Sequence, residues 1–296
     1  MKGVEVTFFA CPKPFTDPHI AMIQRNAIKS WTLLEPRPEI ILFGDETGTA
    51  EISEEMGLRH YGEVTRNEKG TPLISDLFEK AQRMASQDIL CYVNSDIILL
   101  NDFMKAIERV LKAGLKNFLL SGQRWNIDMK KALDFNSSHW EAGLRLAILE
   151  NGKLFRMDGL DYFVFPRNLF PEIPPFAVGR VFWDNWMIWK VISMKIPVID
   201  ATKAITAVHQ NHGYSHIGGA GNIMENEEAK KNRLLAAEGQ YYKTLMDATY
   251  ILTPFGLQSA WPRRMKSRIE KTAYDWLVYR TGPLRHKLGL YRKNGS

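Results

Sequence analysis

Only two cysteines, Cys11 and Cys91, occur in 296 residues, and both lie in apolar stretches. That excludes a disulfide framework and points to two buried thiols in a reducing compartment. A run of about 18 uncharged apolar residues is also missing, so no membrane-crossing helix is expected. The longest apolar stretch, Ile89 to Leu100, is interrupted by Asn94-Ser95-Asp96. The opening MKGVEVTFFACPKPF meets proline too early for a secretory signal, which adds to the expectation of a cytoplasmic setting. Internal repeats and low-complexity tracts are absent. The one glycine-rich stretch, Ile217-Gly218-Gly219-Ala220-Gly221-Asn222, lacks the GxxxxGKS/T pattern and follows no first strand, so it is neither a P-loop nor a dinucleotide fingerprint. Its backbone freedom suits a lid over a ligand and a plain linker equally.

Positive charge is missing from most of the chain. The net charge is +6, yet residues 261–296 hold ten Lys/Arg against two acids, and the other 260 residues carry 29 bases and 31 acids. The isoelectric point of 9.1 therefore belongs to the tail. A neutral body argues against a nucleic-acid groove. A basic tail suggests an anionic membrane surface as partner, giving an expectation of peripheral attachment through 261–296. Within it, Arg264–Arg280 sets Met265, Ile269, Ala273, Trp276 and Leu277 on one helical face and Arg264, Lys266, Arg268 and Lys271 on the other. That pattern fits an interfacial helix or a helix docked on its own domain.

What is present is an alternation of strands and helices. Val4–Ala10 reads as a strand, and Asp17-Pro18 opens a helix with Ile20, Ile23, Ala27 and Trp31 on its apolar face. Glu39–Phe43 is a second strand, followed by a short helix near Glu51–Met56 and a short strand at Leu58–Tyr61. Thr71-Pro72 starts the next helix, Ile89–Val93 is a buried strand, Asn101 caps a helix, and Phe118–Gly122 is a further strand. Helical crossovers of this kind predict an α/β fold with a mostly parallel sheet, whose ligands bind at strand carboxyl ends. The second half is less regular: a strand at Asp161–Phe165, an aromatic helix at Phe182–Met194, a short strand at Thr206–Val208, and long helices at Glu225–Met246 and Arg264–Arg280.

Three features could carry chemistry. Asn94-Ser95-Asp96 ends an apolar strand, where a carboxylate needs a cation, a donor or water. Magnesium and manganese accept one or two carboxylates plus phosphate oxygens. Val208-His209-Gln210-Asn211-His212-Gly213-Tyr214-Ser215-His216 packs three of the seven histidines into eight residues, favouring His209 and then His212 as metal ligands. Zinc alone is disfavoured, since no cysteine lies nearby. Trp183-Asp184-Asn185-Trp186 offers an acid flanked by rings; the alternative is a helix cap within an aromatic core.

On these residues the chain resembles the nucleotide-sugar glycosyltransferases of the GT-A fold, in their broad family-2-like group, over about residues 4–216. The resemblance implies a GT-A-like (Rossmann-related) mostly parallel mixed sheet flanked by helices. The implied domains are 1–222, with a nucleotide-sugar half at about 1–100 and an acceptor half at about 101–222, and a helical basic extension at 223–296. It implies a nucleoside diphosphate sugar as donor substrate, a carbohydrate or lipid-linked acceptor, and a divalent metal, Mn2+ or Mg2+, held by Asp96 with a histidine. Asn94 takes the place of the first acid of the D-x-D motif. Asp45 would contact the nucleoside, Phe9 and Ala10 lead into the loop that wraps it, and Asp184 would be the base of an inverting transfer. Trp183 and Trp186 would stack on sugar faces, with Trp125 and Asp161 lining the acceptor side. Rival readings are a sugar-1-phosphate nucleotidyltransferase, disfavoured because Ala10–Thr16 has no glycine, a metal-dependent hydrolase, and a non-catalytic membrane-surface adaptor.

Overall fold

The computed structural model describes residues 4–213, 226–267 and 269. The chain divides into two compact units, Met1–Gln258 and Ser259–Ser296. In the first unit the order is β1 (Val6–Ala10), α1 (Pro18–Thr32), β2 (Glu39–Phe43), α2 (Thr49–Met56), β3 (Arg59–Tyr61), α3 (Ile74–Met84), β4 (Ile89–Val93), β5 (Ile97–Leu99), α4 (Asp102–Lys112), β6 (Leu119–Ser121) and β7 (Arg124–Ile127). There follow α5 (Trp140–Asn151), β8 (Lys153–Leu154), β9 (Tyr162–Pro166), α6 (Trp183–Ser193), β10 (Val198–Asp200), β11 (Ala207–Gln210), α7 (Glu227–Leu235), β12 (Tyr250–Thr253) and β13 (Gly256–Ser259).

Nine strands form the main sheet in the order β13-β12-β10-β6-β9-β4-β1-β2-β3. The pairs β1–β2, β1–β4, β2–β3, β6–β10 and β10–β12 are parallel, while β9 runs antiparallel between β4 and β6. The α/β class with a mostly parallel mixed sheet is the one the sequence predicts. Every residue of β1 is buried, as expected of a strand covered on both faces. Its side chains alternate between two cores. Val6, Phe8 and Ala10 face α1 and α4 with Trp31 and Phe103, whereas Phe9 faces α3 and α6 with Phe78 and Met187. The helices thus cover both faces of the sheet.

A second sheet, in the order β5-β11-β7-β8, shapes the edge of the molecule that matters for function. Strand β11 pairs antiparallel with β5 and parallel with β7, and α5 covers the sheet through Leu144 and Ile148. Sequence periodicity does not reveal β5, because Ile97–Leu99 reads as a continuation of the β4 apolar run. The Asn94-Ser95-Asp96 turn carries the chain from one sheet to the other. Helix α1 starts as expected, with Asp17 accepting from the His19 and Ile20 amides at 2.8 and 2.9 Å.

Three helix expectations differ. Asn101 makes no capping bond; its amide donates to Glu141 at 3.0 Å. The helix after Thr71-Pro72 begins at Ile74, because Leu73 is still extended. The long helix expected over Glu225–Met246 stops at Leu235. Ala237, Glu238 and Gly239 all take positive φ, and Gly239 is the stop signal that the amphipathic pattern concealed. Strand β12 then joins the main sheet beside β10, so the first unit runs to Gln258, beyond the boundary at 222 drawn from the sequence. The glycine-rich stretch 217–222 and His216 lie outside the described residues. So does the tail beyond residue 269; residues 261–267 are helical. No helix among the described residues is long and apolar enough to cross a membrane.

Gln210, fully buried at the end of β11, ties the two sheets to α1. Its amide accepts from Asn26 at 2.9 Å and donates to the carbonyls of Ile23 at 2.7 Å and Asp96 at 3.2 Å. Gln210→Leu strips a buried donor from two carbonyls and a buried acceptor from Asn26. A loss of about 2–3 kcal/mol is expected in urea denaturation, against a near-neutral result if this junction carries no weight.

Candidate functional site

A cleft of about 420 Å³ opens at the carboxyl ends of β1 and β4, where an α/β sheet places its ligands. Its walls are Cys11–Pro14 after β1, Asn94–Asp96 after β4, Arg124 from β7, and His209 and His212 from β11 and just beyond it. The rim adds Glu46, Arg66, Thr71 and Arg180.

Asp96 stands at its centre. Antiparallel pairing sets His209 opposite Ile97, so a histidine 113 positions later comes to lie beside the carboxylate. His212 Nε2 lies 2.9 Å from Asp96 Oδ2 and His209 Nε2 lies 3.5 Å from the same oxygen. The two imidazole rings are 5.4 Å apart and tilted by 49°. One ligand atom from each of the three residues fits within a 4.8 Å span. Burial opposes ionisation of Asp96, but the charge and hydrogen bonds of His209 and His212 outweigh it. The carboxyl is held well below its ordinary range and is ionised at any neutral pH.

Two atoms of this cluster, Asp96 Oδ1 and His209 Nδ1, are buried without a hydrogen-bond partner among the described residues. A buried carboxylate oxygen with nothing to accept is costly. A divalent cation would remove the cost, and a donor set of one carboxylate and two imidazoles suits a transition ion such as Mn2+ better than the oxygen-seeking Mg2+. The structure thus brings together the three residues that sequence reasoning proposed as a metal site.

Asn94 plays another part. Its amide nitrogen donates to Asp161 Oδ1 at 2.9 Å and its oxygen accepts from the Tyr92 hydroxyl at 3.0 Å. Asp161 is buried and paired with Arg124, whose Nε bonds Asn126 Oδ1 at 3.0 Å and whose guanidinium lies 4.2 Å from the Phe155 ring. Asp161 does line the cleft, as expected, but as the partner of Arg124.

Several other expectations need correction. Phe9 and Ala10 are fully buried in β1; the loop that reaches the cleft begins at Cys11. Asp45 points outward, its side chain 74% exposed and bound to Arg66, while its neighbour Glu46 turns into the cleft. Gly44, with a φ of +101° that side-chain-bearing residues avoid, sets that turn. Trp183 and Trp186 are each 4% exposed. Trp183 packs edge-on against Tyr92 and tilted against Phe163, and Trp186 lies against Phe176. Their faces fill the core under α6 and offer nothing to a sugar. Trp125 is half-buried against the small-sheet core and is not part of the cleft wall.

Asp184, in the first turn of α6, is half-buried, with the Leu160 amide as a long donor at 3.5 Å. Burial, reinforced by the charge of Asp161, pushes its pKa up to about 7. It does not form the cleft wall. It acts with Asp96 and Asp161 on the buried Tyr92 hydroxyl, whose pKa is raised by burial and by these carboxylates. Sequence reasoning missed Lys13, Glu46, Arg66 and Arg180. A lone basic residue in a loop carries no spacing signal. Lys13 alone had a legible context, the turn directly after the first strand.

No family model matches the chain, and no curated protein matches it. Among solved structures it is similar in chain path to S. aureus TarS residues 1–349, at 12% identity and a TM-score of 0.49, over 83% of this chain and 66% of that one. This chain spans just under two thirds of that TarS fragment. The same fragment in complex with UDP-GlcNAc gives 12% identity, 0.48, 83% and 67%. Glucosyl-3-phosphoglycerate synthase from Mycobacterium tuberculosis, in complex with Mn2+, uridine-diphosphate-glucose and phosphoglyceric acid, gives 14% identity, 0.43, 79% and 79%.

The raised Asp184 has a thermodynamic signature. A carboxyl whose folded pKa exceeds its unfolded one holds more protons when folded, so its ionisation erodes stability as pH rises from about 4 to about 7. Asp184→Asn removes that penalty. The variant is expected to exceed the wild type by on the order of 4 kcal/mol at pH 8 and to match it at pH 4, in chemical denaturation at both values.

Proposed function

We propose that the protein is a metal-dependent glycosyltransferase that moves a sugar from a nucleoside diphosphate donor to a hydroxyl acceptor. The observation that carries this reading is the convergence of Asp96, His209 and His212 at the carboxyl end of the sheet, with a buried carboxylate oxygen that has no partner among the described residues. A bound divalent ion would supply charge neutralisation for a departing diphosphate.

The protein's own groups do the rest. Asp96 stays ionised and takes its orientation from the two imidazoles. Glu46, in place of the Asp45 expected from sequence, presents a buried oxygen, Oε2, that has no partner among the described residues and suits a donor group of the nucleoside. Arg124 and Asp161 hold the floor through Asn94 and Tyr92. Asp184, with a pKa of about 7, stands outside the cleft wall, and the base role expected of it is left without a position in the cleft. The domain reading that goes with this function is a transferase body followed by a basic extension; attachment of the extension to an anionic membrane would suit a lipid-linked acceptor.

The test is a thermal-shift panel of uridine, guanosine, thymidine and cytidine nucleotides with and without Mn2+. At least one nucleoside diphosphate should raise the melting temperature only with the metal. At a hundredfold excess over Kd the gain is about 2.7 kcal/mol. In Asp96→Ala the metal-dependent increment should vanish. No stabilisation by any nucleotide, or full stabilisation of the Asp96 variant, contradicts the reading.

A further inference from the structure

Four cations line the cleft, and three of them already have carboxylates. Arg66 is bound to Asp45 and Glu46, the latter at 2.9 Å. Arg124 is bound to Asp161. Arg180 forks onto Glu228 of α7 at 2.9 and 2.5 Å, and Glu228 is itself buried and held by Asn67 at 2.7 Å. Lys13 differs: among the described residues no carboxylate lies within ion-pair distance of its ammonium and no hydrogen bond satisfies it.

The backbone around Lys13 is fixed. Its amide donates to Gln24 Oε1 at 2.7 Å and its carbonyl accepts from Gln24 Nε2 at 2.9 Å, with Gln24 itself buried on α1. The loop is therefore locked on the helix, and the side chain is committed to the cleft. Burial destabilises its ammonium most, Arg180 adds to that, and Asp96 opposes it, so its pKa is lowered. The ammonium thus feels the metal-ligand cluster on one side and a neutralised guanidinium on the other.

A desolvated cation without a counter-ion is a standing cost unless a ligand supplies the anion. An ammonium is a compact point charge with three donors, suited to phosphate oxygens from more than one direction. We propose that Lys13 grips the anionic group of the substrate, a phosphate or diphosphate held between its ammonium and the Asp96–His209–His212 cluster. The inference takes its occupant from the transferase reading, but the site itself is argued from Lys13 alone.

Calorimetric titration with inorganic pyrophosphate and with uridine diphosphate, each in Mn2+, tests it. Lys13→Gln and Lys13→Met should both weaken pyrophosphate by about tenfold or more, the loss of a charge-assisted bond. Lys13→Arg should keep binding within a few fold. Binding of Mn2+ alone, followed by electron paramagnetic resonance, should be the same in all four proteins. Two neutral variants keep the test alive should one fail to fold. Wild-type pyrophosphate affinity in both neutral variants, or a loss that Mn2+ binding shares, overturns the assignment. Pyrophosphate binding that depends on Lys13, with no nucleoside diphosphate bound, sinks the transferase reading and leaves the anion site standing. Nucleotide-sugar turnover that both neutral variants sustain at wild-type level sinks the Lys13 assignment alone.

Discussion

The desolvated Asp96 carboxylate is the constraint around which the cleft is arranged. It sits where the buried end of β4 leaves the main sheet, its side chain only 17% exposed to the cleft. One oxygen is shared by two imidazoles and the other has no hydrogen-bond partner among the described residues. The fold provides the imidazoles by topology: the chain leaves β4, turns through Asn94–Asp96, and continues as β5, on which β11 lies antiparallel. The pairing of His209 with Ile97 is thus a consequence of strand register. A slip of one residue would turn His209 to the opposite face and take one of the two imidazoles away from Asp96. The Gln210 side chain, bonded to the Asp96 carbonyl and to α1, resists that slip.

The replacement of an acid by Asn94 has a physical rationale in the same neighbourhood. Asp96, Asp161 and Asp184 already act on one buried tyrosine hydroxyl. A fourth carboxylate at position 94 would face Asp161 at hydrogen-bond distance, and two like charges there cannot both stay ionised. The amide instead donates to Asp161, which frees the second Asp161 oxygen for Arg124. That arrangement leaves Asp96 as the carboxylate that meets His209 and His212 among the described residues, and it adds the charge of Asp161 to the burial that raises Asp184. The elevated proton affinity of Asp184 is therefore partly a product of how the cleft floor is wired.

Much of this was legible in the residues. Strands β1, β2 and β4 read clearly because parallel strands covered on both faces are continuous apolar runs. The Asp96–His209–His212 cluster was legible because an acid at a strand end and closely spaced histidines are both rare in a packed interior. Strand β5 was hidden in the same apolar run as β4, and β12 is too short to show a period. The tryptophans of Trp183-Asp184-Asn185-Trp186 were misread because an aromatic pair beside an acid looks the same whether it faces a sugar or a core. The covering of the sheet by α6 decides, and that is a tertiary fact. Between Asp45 and Glu46 the sequence offers no preference; a left-handed glycine one residue earlier selects which carboxylate turns inward.

The charge balance of the cleft ties these points together. Arg66, Arg124 and Arg180 are each cancelled by carboxylates that also hold them in place, so they shape the walls without adding much net field. Among the described residues, what is left is the Asp96 carboxylate with one unpartnered oxygen and the Lys13 ammonium without a counter-ion, each under the other's influence. Among the described residues no ion pair or hydrogen bond joins them. Held apart, they demand a ligand that carries both signs, with its cation on the aspartate and its anion on the lysine. A divalent metal bound to a diphosphate has that polarity, and a neutral sugar or a lone metal ion does not.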